Sequence, residues 1–253
     1  MPSVLRFLAI ETSTDTLSVA LGEGRPGAPV WVHEGPGGAT ASTTLLPQVQ
    51  ALLDEAGWHL SDLDAIAFGR GPGSFTGLRT ACAVAQGLAY GTRSQRFPVG
   101  LPVLPIDTLR ALAEQARADH EADGRRAPAH IVSLLDARMD EMYVAAYASG
   151  PQGLAEVAAP ILCAPGELTE WLGLQGLGEG SHTLLAGNVW MVYASLLDGA
   201  PGERRHALPT APALLRLAAA ALAAGQAVPA RDALPLYVRD KVARTTAERE
   251  GSA

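Results

Sequence analysis

Apolar and polar positions alternate over short stretches at the start of the chain, pass into a helical period after residue 44, and then repeat that succession in looser form. Residues 5–12 (LRFLAIET), 17–22 (LSVALG) and 29–34 (PVWVHE) are three β-prone runs parted by turn residues, which predicts an antiparallel meander. Leu45, Leu46, Val49, Leu52, Leu53 and Ala56 then fall at i, i+1, i+4, i+7, i+8 and i+11, with Gln48, Gln50, Asp54 and Glu55 opposite. That spacing predicts an amphipathic helix over 45–57, capped by Thr43 or Thr44, with Pro47 tolerated in its first turn and Gly57 at its end. Residues 64–69 (DAIAFG) are a predicted fourth strand, leading into a glycine-rich turn and a helix that runs to residue 91. A fifth strand is expected over 98–106, where prolines imply an edge or a bend.

After Asp107 the pattern starts again. It predicts a helix to about His120, a polar loop over 121–126, paired strands at 129–137 and 141–148, a third strand near 156–163, and a helix over 165–172. A strand at 183–186 and an alanine-rich helix at 211–224 follow, while the glycine-rich stretch 173–180 has no assignment. The order βββαβαβ is the ribonuclease H-like plan. The chain therefore reads as two α/β lobes, residues 1–106 and 107–234, with helix 211–224 able to pack back on the first lobe. Residues 235–253 read as a charged, peripheral tail.

The helix over 76–91 has no polar face. Arg79 is its one charged residue, and Gly77, Ala81, Ala85, Ala89 and Ala83, Gly87, Gly91 form ladders of small side chains. A helix without a solvated face is buried all round, in a large core or against a second protein. It is too short and too glycine-rich to span a bilayer.

With 253 residues, 48% of them hydrophobic, the chain has the material for a proper core, which excludes wholesale disorder. A net charge of −7 argues against an extended basic surface for a phosphate backbone. The arginine pairs beginning at Arg125 and Arg204 read as solvated loop charges. Cys82 and Cys163 lie far apart with no CxxC spacing, as expected of reduced core thiols in a cytoplasmic protein. The opening apolar run, interrupted by Arg6 and Glu11, reads as a buried strand rather than a signal peptide.

The loop GRGPGSFTGLR fits neither phosphate-binding template: no Gly-Lys pair exists, and three residues beyond Gly71 stands Ser74 instead of glycine. Its amides remain open to an anion or to simple packing. Ser74 lacks the flanking glycines of a nucleophile elbow and reads as a helix cap. The first hairpin, AIETSTDTLSVAL, resembles the first phosphate loop of the actin and sugar-kinase superfamily, with Glu11 as the acid, Ser13 where glycine would permit closest approach, and Asp15 as a turn former or a magnesium ligand. No two of the six histidines stand at i, i+3 or i+4, which excludes a helical metallopeptidase motif. Asp136 and Arg138, at i, i+2 on one side of a strand, are expected to form an ion pair.

IETSTDTLSVAL, LLPQVQALLDEAG, GRGPGSFTGLR, LLDARMDEMY and LPLYVRDKVARTTAER together resemble the TsaB (YeaZ) family over nearly the whole chain. The resemblance implies two ribonuclease H-like lobes of the actin and sugar-kinase (ASKHA) superfamily, mixed sheets flanked by helices. It implies a non-catalytic subunit of the machinery that makes threonylcarbamoyladenosine (t6A) at position 37 of tRNA. In that family the subunit pairs with the homologous catalytic subunit TsaD through its first two helices, the ATPase TsaE joins the pair, and TsaC supplies the threonylcarbamoyl-adenylate. Carried onto this sequence, the interface residues are Leu45, Leu46, Val49, Leu53, Arg79, Ala83 and Gly87, on helices 45–57 and 76–91. Many relatives carry a histidine before the first helix, where residues 39–42 here read ATAS. The resemblance further implies no cofactor for the chain alone, ATP or ADP in the assembled complex, tRNA contact only through that complex, no membrane, and a homodimer in isolation. Two rival readings are a small-molecule kinase of the same fold using Glu11 and Asp15, and a glycopeptidase-like hydrolase.

Overall fold

Every side chain of β1 (Phe7–Glu11) is buried, and this strand is the centre around which the first lobe is built. The computed structural model describes residues 4–25, 27–178 and 182–239. Because successive strand residues point to opposite faces, Leu8 and Ile10 serve one apolar cluster and Phe7 and Ala9 another. A strand covered on both sides needs no polar alternation, as in FLAIE.

β2 (Thr16–Gly22) pairs antiparallel with β1 and with β3 (Val30–Pro36), which completes the meander. α1 (Ala41–Ala56) follows a single 3-10 turn at Gly38–Thr40. It starts earlier than predicted, because Ala41 is buried and continues the apolar period Leu45, Val49, Leu52 toward the N-terminus. Neither Thr43 nor Thr44 caps it. Both hydroxyls lie inside the helix and donate to the Thr40 carbonyl, at 2.9 and 3.0 Å. Pro47 consequently sits in the second turn rather than the first.

β4 (Ala65–Gly71) pairs parallel with β1, and α2 (Phe75–Gly91) begins at Ser74, whose hydroxyl accepts from the Gly77 amide. β5 (Val103–Asp107) is shorter than expected, since the chain turns at Gly100 with a φ of 95°. It is an edge strand, as its prolines implied. α3 (Thr108–Ala122), β6 (His130–Asp136), β7 (Met142–Gly150), β8 (Gly153–Cys163), α4 (Leu168–Leu174) and β9 (Thr183–Gly187) follow. α5 (Ala194–Leu197), β10 (Glu203–His206) and α6 (Ala211–Ala223) complete the described order.

Two of these elements were not predicted, α5 and β10. The arginine pair at Arg204 is therefore not in a loop: it lies in β10, paired parallel with β9, where Arg204 donates to the Leu197 carbonyl at 2.6 Å and Arg205 pairs with Asp123. Of the unassigned stretch 173–180, Gly176 turns the chain at a φ of 70° and Leu177 is buried under α4. Residues 179–181 lie outside the described residues.

The two five-stranded sheets have the same order, β3-β2-β1-β4-β5 and β8-β7-β6-β9-β10. Each carries two antiparallel and two parallel pairings, the ribonuclease H-like plan made twice. Two lobes of mixed sheet flanked by helices agree with the plan that the resemblance implied. α1 and α2 cover one face of the first sheet, and α6, from the far end of the described chain, covers the other. α3 packs on the second sheet and touches α6 between the lobes.

Candidate functional site

Three glycines bring the loop after β4 onto the turn between β1 and β2. A methyl on Gly77 would stand 1.8 Å from the Thr12 carbonyl oxygen, one on Gly73 2.6 Å from Ser13 Cβ, and one on Gly69 1.9 Å from Glu11 Oε2. The Ser74 amide donates to the Ser13 carbonyl at 2.7 Å, and the Thr12 hydroxyl to the Gly77 carbonyl at 2.8 Å. The glycine-rich loop thus serves close backbone packing. Ser74 keeps its capping role, with a long bond of 3.5 Å.

Glu11 and Ser13 lie beneath this contact. The Ser13 amide donates to Glu11 Oε1 at 2.7 Å, while Glu11 Oε2 and the Ser13 hydroxyl have no hydrogen-bond partner among the described residues. Burial pushes the Glu11 carboxyl above its ordinary range, against the smaller opposing effect of its bonds to Ser13 and Thr12. Asp15 points the other way, into solvent, and pairs with Arg138 at 2.9 Å. The sequence grouped these three residues as one phosphate loop, and the structure separates them into two buried groups and one exposed one.

A cleft of about 320 Å³ opens between the lobes, bounded by residues 13–15 and 72–75 on one side and 135–139 and Asn188 on the other. Asp136 ends β6, accepts from the Tyr193 hydroxyl at 2.8 Å and from the Arg138 amide at 2.9 Å, and meets the Arg138 guanidinium at 3.7 Å. The expected Asp136–Arg138 pair forms, though not along a strand: β6 has ended and Arg138 stands in the turn. Burial, with the bond to Asp136 second, pushes the Tyr193 hydroxyl up to about 12. Arg138, Met139 and Asp140 are all left-handed, with φ of 62°, 57° and 58°. Three successive non-glycine residues in that region carry strain of about 1 kcal/mol or more each, held by the surroundings.

Those surroundings include the segment read as a peripheral tail. Residues 236–239 line the cleft, with the Leu236 amide bonded to the Arg70 carbonyl at 2.7 Å and Arg239 paired with Glu141. The missed signal was the run of Leu234, Leu236, Tyr237 and Val238 ahead of the charges. The part of that tail over 240–253 lies outside the described residues.

The backbone of Gly73 and Ser74 covers Ser13, and Asp15 and Asp136 both face one guanidinium. Among the described residues no group of three His, Cys, Asp or Glu is placed to hold a metal ion.

The other expected site, on α1 and α2, divides by burial. Leu45, Val49 and Leu53 belong to the core under the first sheet, so they do not face outward. Leu46 is half exposed beside Pro47 and Gln50. On α2 the buried side is Gly77, Leu78, Ala81, Cys82, Ala85 and Ala89, and the exposed side carries Arg79, Ala83 and Gly87 in one stripe. Nothing lies within 4 Å of a methyl placed on Gly87 or Gly91. The Arg79 guanidinium stacks on Phe75 at 3.7 Å and donates to the Tyr237 hydroxyl at 3.0 Å, so even this charge is held flat. Among the described residues no helix is long and apolar enough to cross a membrane.

Residues 38–191 match the family model described as TsaD, tRNA N6-adenosine threonylcarbamoyltransferase. The chain is 30% identical over 246 residues to the tRNA threonylcarbamoyladenosine biosynthesis protein TsaB of Haemophilus influenzae, covering 94% of this chain and 95% of the relative. It is 32% identical over 243 residues to the TsaB of Escherichia coli, covering 94% and 96%. The solved structure of YeaZ from Pseudomonas aeruginosa superposes with a TM-score of 0.75 at 34% identity, covering 92% of this chain and 99% of that one.

Proposed function

The chain belongs to the TsaB (YeaZ) family, and from that premise we propose that it serves t6A formation as a non-catalytic subunit that docks on and supports a TsaD homologue. The relatives named for tRNA threonylcarbamoyladenosine biosynthesis match it over almost their full length. One observation carries the finer reading: beyond Arg79, the outward stripe of α2 at Ala83 and Gly87 is exposed, small and uncharged, with open space beside Gly87. Solvent-facing helix positions ordinarily carry charge. A face with this composition lets another backbone approach, and Leu46 on α1 extends its apolar area.

In the proposed assembly TsaE joins the pair, ATP or ADP belongs to the complex rather than to this chain, and tRNA is held by the other subunits. The net charge of −7 supports that last division of labour. Without TsaD the same stripe pairs with a second copy, giving a homodimer. A stable interface needs about 1,000 Å² or more, so the proposed surface takes in α1 as well as α2.

The test is reconstitution with the cognate TsaD, TsaE and TsaC and tRNA, with and without this chain, reading t6A formed. Ala83→Glu and Gly87→Glu are expected to abolish pairing with TsaD and t6A formation while leaving the circular dichroism spectrum unchanged. Normal TsaD binding by both folded variants would overturn the assignment.

A further inference from the structure

The segment after α6 makes one continuous set of contacts from α2 to the second lobe. Its Ala233 carbonyl accepts from the Cys82 thiol at 3.1 Å and from Gln86 Nε2 at 2.8 Å. Three residues on, the Leu236 amide bonds the Arg70 carbonyl, and the Tyr237 ring lies 5.3 Å from Phe75 while its hydroxyl accepts from Arg79. Then the chain leaves the first lobe. Arg239, only 13% exposed at its side chain, pairs with Glu141 and donates to the Arg138 carbonyl at 3.3 Å and to the Met139 sulfur at 3.2 Å.

These last partners flank the strained turn at residues 138–140. Left-handed non-glycine residues persist where neighbours over-determine them, and here Arg239 grips the turn from one side while Asp15 reaches Arg138 from the other. The Asp15 pair is exposed on both partners, at 85% and 72%, and so holds weakly. The more enclosed grip is that of Arg239.

We propose that residues 233–239 are a strap across the mouth of the interlobe cleft, which ties the start of α2 to the β6–β7 turn and governs whether that turn keeps its strained form. Docked, the strap closes one side of the cleft and fixes Phe75 and Arg79. Released, it frees the turn and the first turn of α2 together. The strap rests on cleft contacts alone and stands or falls separately from docking on TsaD.

Amide hydrogen exchange on the full chain tests it, comparing the wild type with Arg239→Glu, with Arg239→Glu/Glu141→Arg, and with Tyr237→Ala. In Arg239→Glu, exchange at residues 137–142 and at 75–79 is expected to rise about tenfold with β1 unchanged. The double exchange of charges is expected to return both regions toward the wild type. Tyr237→Ala, which leaves Arg239 in place, is expected to raise exchange at 75–79 and, through the strap, at 137–142. Faster exchange confined to 234–239 would overturn the strap, as would no change at the turn. Should Arg239→Glu loosen the whole fold, Tyr237→Ala decides: a rise at 75–79 that extends to 137–142 over an unchanged β1 upholds the strap, and a uniform rise, or none at 137–142, sinks it.

Discussion

Glu11 is a carboxyl with nowhere to put its charge. One oxygen accepts from the Ser13 amide at 2.7 Å, the other has no hydrogen-bond partner among the described residues, and the Gly69 backbone lies so near that a methyl there would clash at 1.9 Å. Burial raises its pKa above the ordinary 4.5. The folded chain then holds this proton to higher pH than the unfolded chain, so between the two pKa values folding binds protons and stability falls as pH rises. The Glu11 contribution is fully present below about 4.5, the unfolded value, and is lost as pH climbs through the raised, folded one. Glu11→Gln keeps the shape and removes the titration. In urea unfolding across pH 4.5 to 8, the stability of the wild type relative to Glu11→Gln is expected to decline with pH, and a constant difference would refute a buried, proton-holding carboxyl. Sequence alone marked Glu11 as the acid ending a strand. It did not show the lid, because Gly69, Gly73 and Gly77 close over the hairpin only in three dimensions.

The same limit operates along α2, where two glycines in one small-residue run have opposite surroundings. Gly77 abuts the Thr12 carbonyl, which a methyl would meet at 1.8 Å, whereas Gly87 has open space. Gly77→Ala forces backbone against backbone and is expected to destabilise by about 2 kcal/mol or more. Gly87→Ala adds helix propensity with no clash and is expected to stabilise by roughly 0.5–1 kcal/mol. Urea midpoints at a common m-value measure both, and equal signs for the two would contradict the division into an inner and an outer face. The run of small residues announced close approach on more than one side but not which glycine served which neighbour. Elements marked by an apolar run or a ladder of small residues between turn signals were legible, as in β1, β2, α2 and its Ser74 cap. β10 was not, because ERRH has no apolar alternation and is a strand only through its pairing with β9. α1 was misplaced at its start because Ala41, buried under the sheet, looks in sequence like one more small residue before a threonine pair.

At the scale of the molecule the two lobes are joined by α6, which crosses from the second lobe's stretch of chain to the first sheet. α6 supplies Leu214 and Ala218 to the first sheet, against Phe7, Ala9, Ala67 and Leu104, while α3 supplies Leu109, Leu112 and Ala116 to the second. Where they meet, Glu114 of α3 is nearly buried and accepts from Arg117 at 2.8 Å and from Arg216 of α6 at 2.9 Å, and Thr210 donates to Gln115 at 2.7 Å. The lone periodicity of residues 211–224 says that this helix is apolar, and only the sheet face left bare by α1 and α2 says where it belongs. A chain cut after residue 106 therefore keeps its sheet and loses the cover of one face. Residues 1–106 alone are expected to aggregate, and residues 209–226, supplied as a peptide or joined by a flexible linker, are expected to restore a soluble fold with the α2 stripe intact. A first lobe that folds by itself to a stable, sharply melting monomer would show that α6 is an accessory, and the lobes would then be independent units. If instead the intact chain unfolds in one transition that Arg216→Ala shifts as a whole, the crossing of α6 and its contact with α3 are what make the two sheets a single cooperative body.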